Sequence, residues 1–379
     1  MIVSTTAFLR RNNGHGVLPE TRPYRFNHRS ATGTAAPLDP LSEVFALGFA
    51  GDALAAAELA EKAASEHREP GRTRHELGQA GAFWLGVAGK ARQAVGRLED
   101  LLGGQYCGVP DDRAVFEVRG DIAYWRGESG DARGALELFE QLLPDVVAAL
   151  GRDDTHVLSA RNHVAYWRGV AGDIRTALNE YRELLTDHER VLGTDDRDTL
   201  MVRNNLAFWR GESGDARGAL ELFEQLLPDV VAALGQEDFY ALSARNNVAY
   251  WRGFNGDVAG ALDHYGVLLK DCETTLGTRN YHTLTTRLQL GLWSGVAGRP
   301  DDAIESLGGL LSDVEDTLGT SHELGYSVRH QLARWYGVRG DVGQAFTILE
   351  RLVAEQRRVL GSNDYRTLAS QGLLSRYSR

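Results

Sequence analysis

A length of 379 residues allows several compact domains, and 43% hydrophobic with 25% charged residues is the composition of a globular protein with a sizeable core. The formal net charge of −11 at pH 7 argues against general binding of nucleic acid, which requires clustered Lys and Arg. The two cysteines, Cys107 and Cys272, have no metal-ligand spacing, so the sequence predicts neither a disulfide framework nor a metal site.

The N-terminal apolar segment is too short for a secretory signal peptide, and no run of about 18 apolar residues predicts a transmembrane helix. We therefore expect a cytoplasmic protein without membrane or nucleic-acid partners. Residues 1–40 lack periodicity, are rich in Gly and Pro, and carry five arginines against two carboxylates. They are predicted to be a disordered basic tail, with docking of this tail onto the acidic remainder as the alternative.

A unit of 42 residues repeats along most of the chain, and residues 110–361 hold six regular copies of it. Residues 41–109 read as two shortened, degenerate copies, and residues 362–379 are predicted to be a helix that caps the open end. Each regular copy contains a Trp, a Gly five residues after it and a closing Leu-Gly pair. The Trp residues are Trp125, Trp167, Trp209, Trp251, Trp293 and Trp335.

The unit around Trp209 indicates how each copy folds. Thr199 to Glu212 is predicted to be a first helix, Gly214 and Asp215 a turn, and residues 216–234 a second helix. Apolar residues recur at three- and four-residue spacing in the second helix, and neither helix can bury its apolar face alone. Stacking on the next pair buries that face, so the Trp column is predicted to lie mostly buried between helices.

Proline falls inside two of the predicted second helices, at Pro144 and Pro228. The missing N–H predicts either a kink or a restart of the helix with Pro in its first turn, and the sequence leaves both open. Residues 125–151 are identical to residues 209–235, which indicates that a block of two units was duplicated.

The repeat resembles the tetratricopeptide repeat in its pattern of small and apolar positions. The 42-residue length and the Arg-Asn-Asn-Leu-Ala run look like the longer variant of kinesin light chains, and units with Trp-Arg-Gly-Glu are similar to those of actinobacterial proteins, where they often follow signalling or ATPase domains. The residues that carry the resemblance are Arg203, Asn204, Asn205, Leu206, Ala207, Gly214, Ala219, Phe223 and the closing Val191, Leu192 and Gly193. The resemblance implies an all-α, right-handed superhelical solenoid of stacked antiparallel helix pairs, whose first helices line a concave groove.

The resemblance also implies which side chains line the groove. Asn side chains in two adjacent columns would clamp the backbone of a bound peptide, because one amide supplies both a donor and an acceptor. An aromatic column would supply pockets for apolar side chains of the ligand. These columns are Asn162, Asn204 and Asn246; His163, Asn205 and Asn247; and Tyr124, Tyr166, Phe208 and Tyr250.

Two features depart from the family pattern. Arg occupies positions 126, 168, 210 and 252, where the family carries an aromatic residue, and the Asn pair becomes Leu288-Gln289 and His330-Gln331 in the last two regular units. The units after residue 278 are therefore predicted to contribute less to binding.

An arginine six residues before each Trp forms a further column, which includes Arg161, Arg203 and Arg245. Guanidinium groups suit phosphate or carboxylate ligands, and they equally suit salt bridges to the Glu and Asp of second helices, such as Glu221, Glu224 and Asp215. The acidic net charge favours the salt bridges. No nucleophile, phosphate-loop or metal motif occurs in the sequence, so no catalytic residue and no cofactor is predicted.

The first hypothesis for function is a non-enzymatic scaffold, an adaptor or regulatory protein that binds a peptide or protein segment in the groove. The alternative is an enzyme or enzyme accessory that binds a small anionic ligand through the Arg and aromatic columns. A structural adaptor that forms a homo-oligomer is a third hypothesis. A deep pocket with convergent arginines would favour the enzyme, and an open aromatic groove would favour the scaffold.

Overall fold

The computed structural model describes residues 39–49, 52–66, 72–103, 112–320, 322–362 and 364–377. Within these ranges there are seventeen α-helices and no strand. The predicted disordered tail lies outside the described residues up to position 38, and the first helix begins at Pro40. No helix in these ranges is long and apolar enough to cross a membrane.

The helices fall into two compact units, which meet in the chain after Asp173. The first unit holds seven helices: α1 (Pro40–Phe49), α2 (Ala53–Glu66), α3 (Arg72–Val87), α4 (Ala91–Leu102), α5 (Asp112–Glu128), α6 (Ala132–Leu150) and α7 (Thr155–Val170). The second unit holds ten helices: α8 (Ile174–Val191), α9 (Arg197–Glu212), α10 (Ala216–Leu234), α11 (Phe239–Phe254), α12 (Val258–Leu276), α13 (Tyr281–Val296), α14 (Pro300–Leu318), α15 (Glu323–Arg339), α16 (Val342–Val359) and α17 (Tyr365–Tyr377).

Within each unit, every helix packs against the next helix along the chain. The first helices of successive repeats also touch, as α5 and α7 do in the first unit and α13 and α15 in the second. Contacts between near neighbours along the chain are what a repeat architecture requires, because each helix pair buries its apolar face on the next pair. The predicted all-α fold of stacked antiparallel helix pairs is thereby confirmed.

The turn inside the regular repeats has the predicted Gly-Asp chemistry, except at Gly298-Arg299. Gly214 has a φ of 106°, a left-handed conformation that Gly adopts without the steric cost of a Cβ atom. The Asp215 carboxylate then caps α10, because it accepts a hydrogen bond from the Gly218 N–H at 2.8 Å. At the other end of α10, Gly235 has a φ of 92° and terminates the helix.

The two prolines lie inside uninterrupted helices. α6 contains Pro144 and α10 contains Pro228, so the helix restart considered from the sequence does not occur. Both prolines are exposed. Pro228 has no N–H to donate to the backbone carbonyl of Glu224, four residues earlier, and Glu224 is also exposed. Water can therefore satisfy this carbonyl, and the helix continues.

The Trp column fixes the register between successive repeats. All six rings are buried, with exposed fractions between 1% and 6%, which confirms the prediction. Each ring with a described partner lies against the Gly that stands two residues after the Trp of the preceding repeat. These pairs are Trp125 with Gly86, Trp167 with Gly127, Trp251 with Gly211, Trp293 with Gly253 and Trp335 with Gly295. Tyr377 lies in the same way against Gly337, so α17 packs as the first helix of one more repeat.

Candidate partner-binding surface on the first helices

The predicted site residues lie on the first helix of each pair. In each unit we call the face of these helices the first-helix surface; α5 and α7 form it in the first unit, and α9, α11, α13 and α15 form that of the second unit. Six of the thirteen predicted residues are buried: Asn162, His163, Asn204, Asn247, Phe208 and Tyr250. The other seven are partly exposed: Asn205, Asn246, Tyr124, Tyr166, Arg161, Arg203 and Arg245. The ligand-binding role of these residues stays a prediction.

Two of the Asn residues bind each other across the boundary between repeats. The Asn247 carboxamide donates a hydrogen bond from Nδ2 to Oδ1 of Asn204 at 3.0 Å, and both side chains are buried. Asn205 hydrogen-bonds with the buried hydroxyl of Tyr181. These amides therefore already serve the contact between neighbouring helices.

Asn246 differs from its neighbours. Its side chain is partly exposed and makes no hydrogen bond within the described residues, while its backbone carbonyl accepts a hydrogen bond from the Tyr265 hydroxyl at 3.2 Å. The side chains of the adjacent residues already have partners, because Arg245 forms an ion pair with Asp271 and Asn247 donates a hydrogen bond to Asn204. Asn246 is thus an amide of the predicted Asn columns that keeps its donor and acceptor.

The residues of the aromatic column mainly contact the Trp of the next repeat. The Tyr124 ring meets the Trp167 ring edge-on at a centroid distance of 6.0 Å, and Tyr250 meets Trp293 at 6.3 Å. Phe208 and Tyr250 are 8% and 1% exposed, so in the second unit this column is closed to solvent. In the first unit, Tyr124 and Tyr166 remain half-buried.

His163 belongs to the core of the first unit. Its ring stacks on Phe139 at a centroid distance of 4.6 Å with an interplanar angle of 5°. Burial lowers the pKa of His163 to about 3, so the imidazole is neutral at physiological pH. A neutral ring packed on Phe139 fills space where Asn205 and Asn247 make hydrogen bonds in other repeats.

The Arg column is engaged in salt bridges. Each paired arginine reaches an acid 26 residues later, in the second helix of its own repeat: Arg119 with Asp145, Arg203 with Asp229, Arg245 with Asp271, Arg287 with Asp313 and Arg329 with Glu355. The favoured salt bridges are therefore present, but the acids differ from those named from the sequence. Glu224 and Asp215 instead pair with the arginines that directly follow the Trp, Arg252 and Arg210.

A charged cluster that the sequence analysis missed lies in the first unit. Asp121 occupies the position that Asn205 holds in a later repeat, and it accepts a hydrogen bond from Gln79 at 3.3 Å. Burial, followed by the charge of Glu117, raises the pKa of Asp121 well above its usual range. The 42-residue register is the sequence feature that locates this residue on the first-helix surface.

His156 completes the cluster by bridging two carboxylates. Its ring nitrogens lie 3.3 Å from Glu117 Oε1 and 3.0 Å from Asp154 Oδ1. The hydrogen bond to Glu117 is the main reason that the pKa of His156 is raised. Among the described residues, no group of three or more His, Cys, Asp or Glu side chains is arranged to hold a metal ion.

Comparison with known proteins identifies the repeat. A tetratricopeptide-repeat family profile matches residues 327–365, which span most of α15, all of α16 and the first residue of α17. Residues 327–365 thus match a tetratricopeptide repeat. The predicted resemblance is confirmed, and the helix pairs keep the 42-residue period expected for the longer variant. No curated protein matches the chain.

The chain is similar to several solved structures. A Rap protein complexed with competence and sporulation factor is 12% identical and has a TM-score of 0.56, with 89% of this chain and 98% of that chain covered. A tetratricopeptide-repeat protein from Parabacteroides merdae is 11% identical, with a TM-score of 0.51 and coverage of 80% and 99%. A putative kinesin light chain from Podosopora anserina with nearly identical repeats is 19% identical, with a TM-score of 0.45 and coverage of 54% and 96%.

Proposed function

We propose that this protein is a non-enzymatic scaffold, an adaptor or regulatory protein that binds a peptide or protein segment along its first-helix surface. The observation that carries the proposal is Asn246, whose partly exposed amide keeps a donor and an acceptor while its neighbours are engaged. One carboxamide can bond both the N–H and the C=O of an extended chain, so it binds a peptide backbone without reading its sequence.

The spacing of the first helices suits an extended ligand. Packed helices lie about 8–10 Å apart, and an extended chain advances about 3.3 Å per residue. One repeat therefore spans about three residues of an extended peptide by these dimensions. Side chains at equivalent positions of α9, α11, α13 and α15 would meet every third residue of the partner.

Two further observations bear on the choice between the hypotheses. A protein of the same fold, the Rap protein, forms a complex with competence and sporulation factor. The alternative, an enzyme or accessory that binds a small anion through the Arg column, has less support because Arg203, Arg245 and Arg287 already have carboxylate partners. Homo-oligomer formation and a cytoplasmic location stay predictions from the sequence.

The proposal is tested by selecting peptides from a random library displayed against the full chain and measuring their affinity by calorimetry. Asn246→Ala is expected to weaken a selected peptide about two- to tenfold, the effect of one hydrogen bond. Gln225→Ala is the matched control, because this exposed amide lies on a second helix, α10. Equal affinities for wild type and both variants would show that the partner does not bind at Asn246.

A further inference from the structure

The first helices from α7 to α17 begin with the same N-terminal cap, and in α15 the capping residue is a histidine. In the other helices a side-chain oxygen accepts a hydrogen bond from the backbone N–H two residues later, at 2.8–2.9 Å. These capping residues are Asp154, Asp196, Asp238, Asn280 and Asp364. At α15 the Leu324 N–H donates instead to Nδ1 of His322, at 3.1 Å. The backbone at the caps of α13 and α15 is alike, with φ of −66° and −72° and ψ of 144° at both. An imidazole therefore replaces a carboxamide in an unchanged cap.

The cap requires an unprotonated Nδ1 atom in His322. A backbone N–H only donates, so Nδ1 must supply a lone pair to the Leu324 N–H. A neutral imidazole has one N–H and one lone pair, so the ring proton is on Nε2. The next proton can bind only at Nδ1, where it removes the acceptor. Carboxylate caps keep their acceptors down to about pH 4, and the carboxamide of Asn280 does not titrate.

The charged side chains around this end of α15 favour a proton on the imidazole. Glu323, the first residue of α15, accepts a hydrogen bond from Arg366 of α17 at 2.9 Å. Glu315 of α14 and Glu355 of α16 both accept from Arg329 of α15. Each of the two arginines serves two carboxylates, so these groups together keep a net negative charge.

Burial and the helix dipole oppose the proton more strongly. His322 is 4% exposed, and His282 of α13, which is 7% exposed, shows the size of the effect, because burial lowers its pKa to about 3. The charge would also lie at the N-terminus of α15, where the helix dipole disfavours cations. The Tyr281 ring of α13, at a centroid distance of 6.0 Å from the imidazole, is neutral in the range where histidine titrates. An open, solvated first turn therefore binds a proton more tightly than the closed turn.

The first turn of α15 also connects to α17. It contains Glu323, which accepts a hydrogen bond from Nη1 of Arg366. The Nε and Nη2 atoms of Arg366 donate to Asp364, the cap of α17, at 3.0 and 2.9 Å. Opening of the first turn of α15 thus removes one of the contacts that hold the N-terminus of α17.

We propose that His322 is an acid-sensitive N-cap, which holds the first turn of α15 closed while the imidazole is neutral and releases it on protonation. A histidine in an unfolded chain has a pKa of about 6.5, and the open turn binds the proton more tightly, so the closed turn is favoured above about pH 6.5 and is lost as pH falls. Below that value, the population of the open turn rises by up to about tenfold per pH unit. The inference goes beyond the proposed function, because the cap responds to protons without a partner segment.

The cap is tested by amide hydrogen exchange of the full chain between about pH 5 and about pH 8, followed by NMR and corrected for the intrinsic pH dependence of exchange. The protection factor of the Leu324 amide is expected to fall by up to about tenfold per pH unit below about pH 6.5. The Tyr240 amide, which donates to Asp238 at 2.8 Å, is the control in the same unit, and its protection should stay constant.

Two variants separate the imidazole from the rest of the protein. His322→Asn copies the cap of α13, and His322→Asp copies that of α11, so each keeps an acceptor for the Leu324 N–H throughout the range. We expect a constant protection factor at Leu324 in both, and circular dichroism checks that each variant folds. A constant wild-type profile, an equal fall in the folded variants, or a rise in protection with acid would overturn the proposal. If protection falls at Leu324 while the Arg366 amide does not respond, the acid-sensitive cap stands and its coupling to α17 fails.

Discussion

Trp293 of α13 packs against the backbone of Gly253 in α11 so closely that a Cβ atom at Gly253 would lie 2.5 Å from the ring. A Trp in one repeat thus requires a Gly in the preceding repeat, two residues after that repeat's own Trp. This contact joins two helices that are separated by a whole helix in the chain.

We expect Gly253→Ala to lower the free energy of unfolding by about 1–3 kcal/mol, because the methyl group forces the Trp293 ring or the helices apart. Urea denaturation followed by tryptophan fluorescence and circular dichroism measures the change. Gly308→Ala is the control, since Gly308 is exposed in α14 and no atom lies within 4 Å of the added Cβ. That change should stabilise α14 by about 0.5–1 kcal/mol through helix propensity, and a similar loss in both variants would contradict the role of the Trp293 contact.

Removal of the amide of Asn247 should destabilise the second unit. Asn247→Ala leaves the buried Oδ1 of Asn204 without the hydrogen bond that it accepts at 3.0 Å, so the expected cost is about 1–3 kcal/mol. Asn246→Ala, at the partly exposed neighbour, should change stability by less than about 0.5 kcal/mol. The two variants are compared by chemical denaturation, and equal stabilities would show that the Asn204–Asn247 bond contributes nothing.

The N-terminus of α14 lacks a cap that other second helices have. Asp257 caps α12 by accepting from the Gly260 N–H, whereas Arg299 precedes α14 with a similar ψ, 65° against 68°, and no capping side chain. Arg299→Asn should therefore stabilise the protein by about 0.5–2 kcal/mol, and Asp257→Ala should destabilise it by a similar amount. Thermal melting of the two variants checks the opposite signs.

Lowering the pH should destabilise the first unit, because the buried imidazole of His163 becomes protonated when the unit unfolds. The pKa of this residue is about 3 in the folded protein and 6.5 as a model value, so the unfolded chain binds more protons between these values. Stability is then lost as pH falls below about 6.5, with a limiting slope of about 1.4 kcal/mol per pH unit. His163→Asn, which introduces the residue present at 205 and 247, should reduce the difference between unfolding free energies at about pH 7 and about pH 5. An unchanged difference would show that His163 does not titrate on unfolding.

The sequence by itself determined the helix pairs, their turns and the burial of the Trp column. These features are local or periodic: a Gly at positive φ and a capping Asp end one helix and begin the next, as at Gly214 and Asp215. A residue that recurs every 42 positions must face an equivalent neighbour in the next repeat. The period therefore predicted Trp209 and its equivalents as buried positions without knowledge of their contacts.

Only the tertiary structure decided which polar side chains face a neighbouring repeat and which face solvent. Adjacent residues on a helix point about 100° apart, so the pattern Asn-Asn could not show that Asn247 is buried against Asn204 while Asn246 stays partly exposed. The sequence also could not show the salt-bridge partner of Arg203. Several acids of the second helix lie within reach of this flexible side chain, and the packing of the helices selects Asp229.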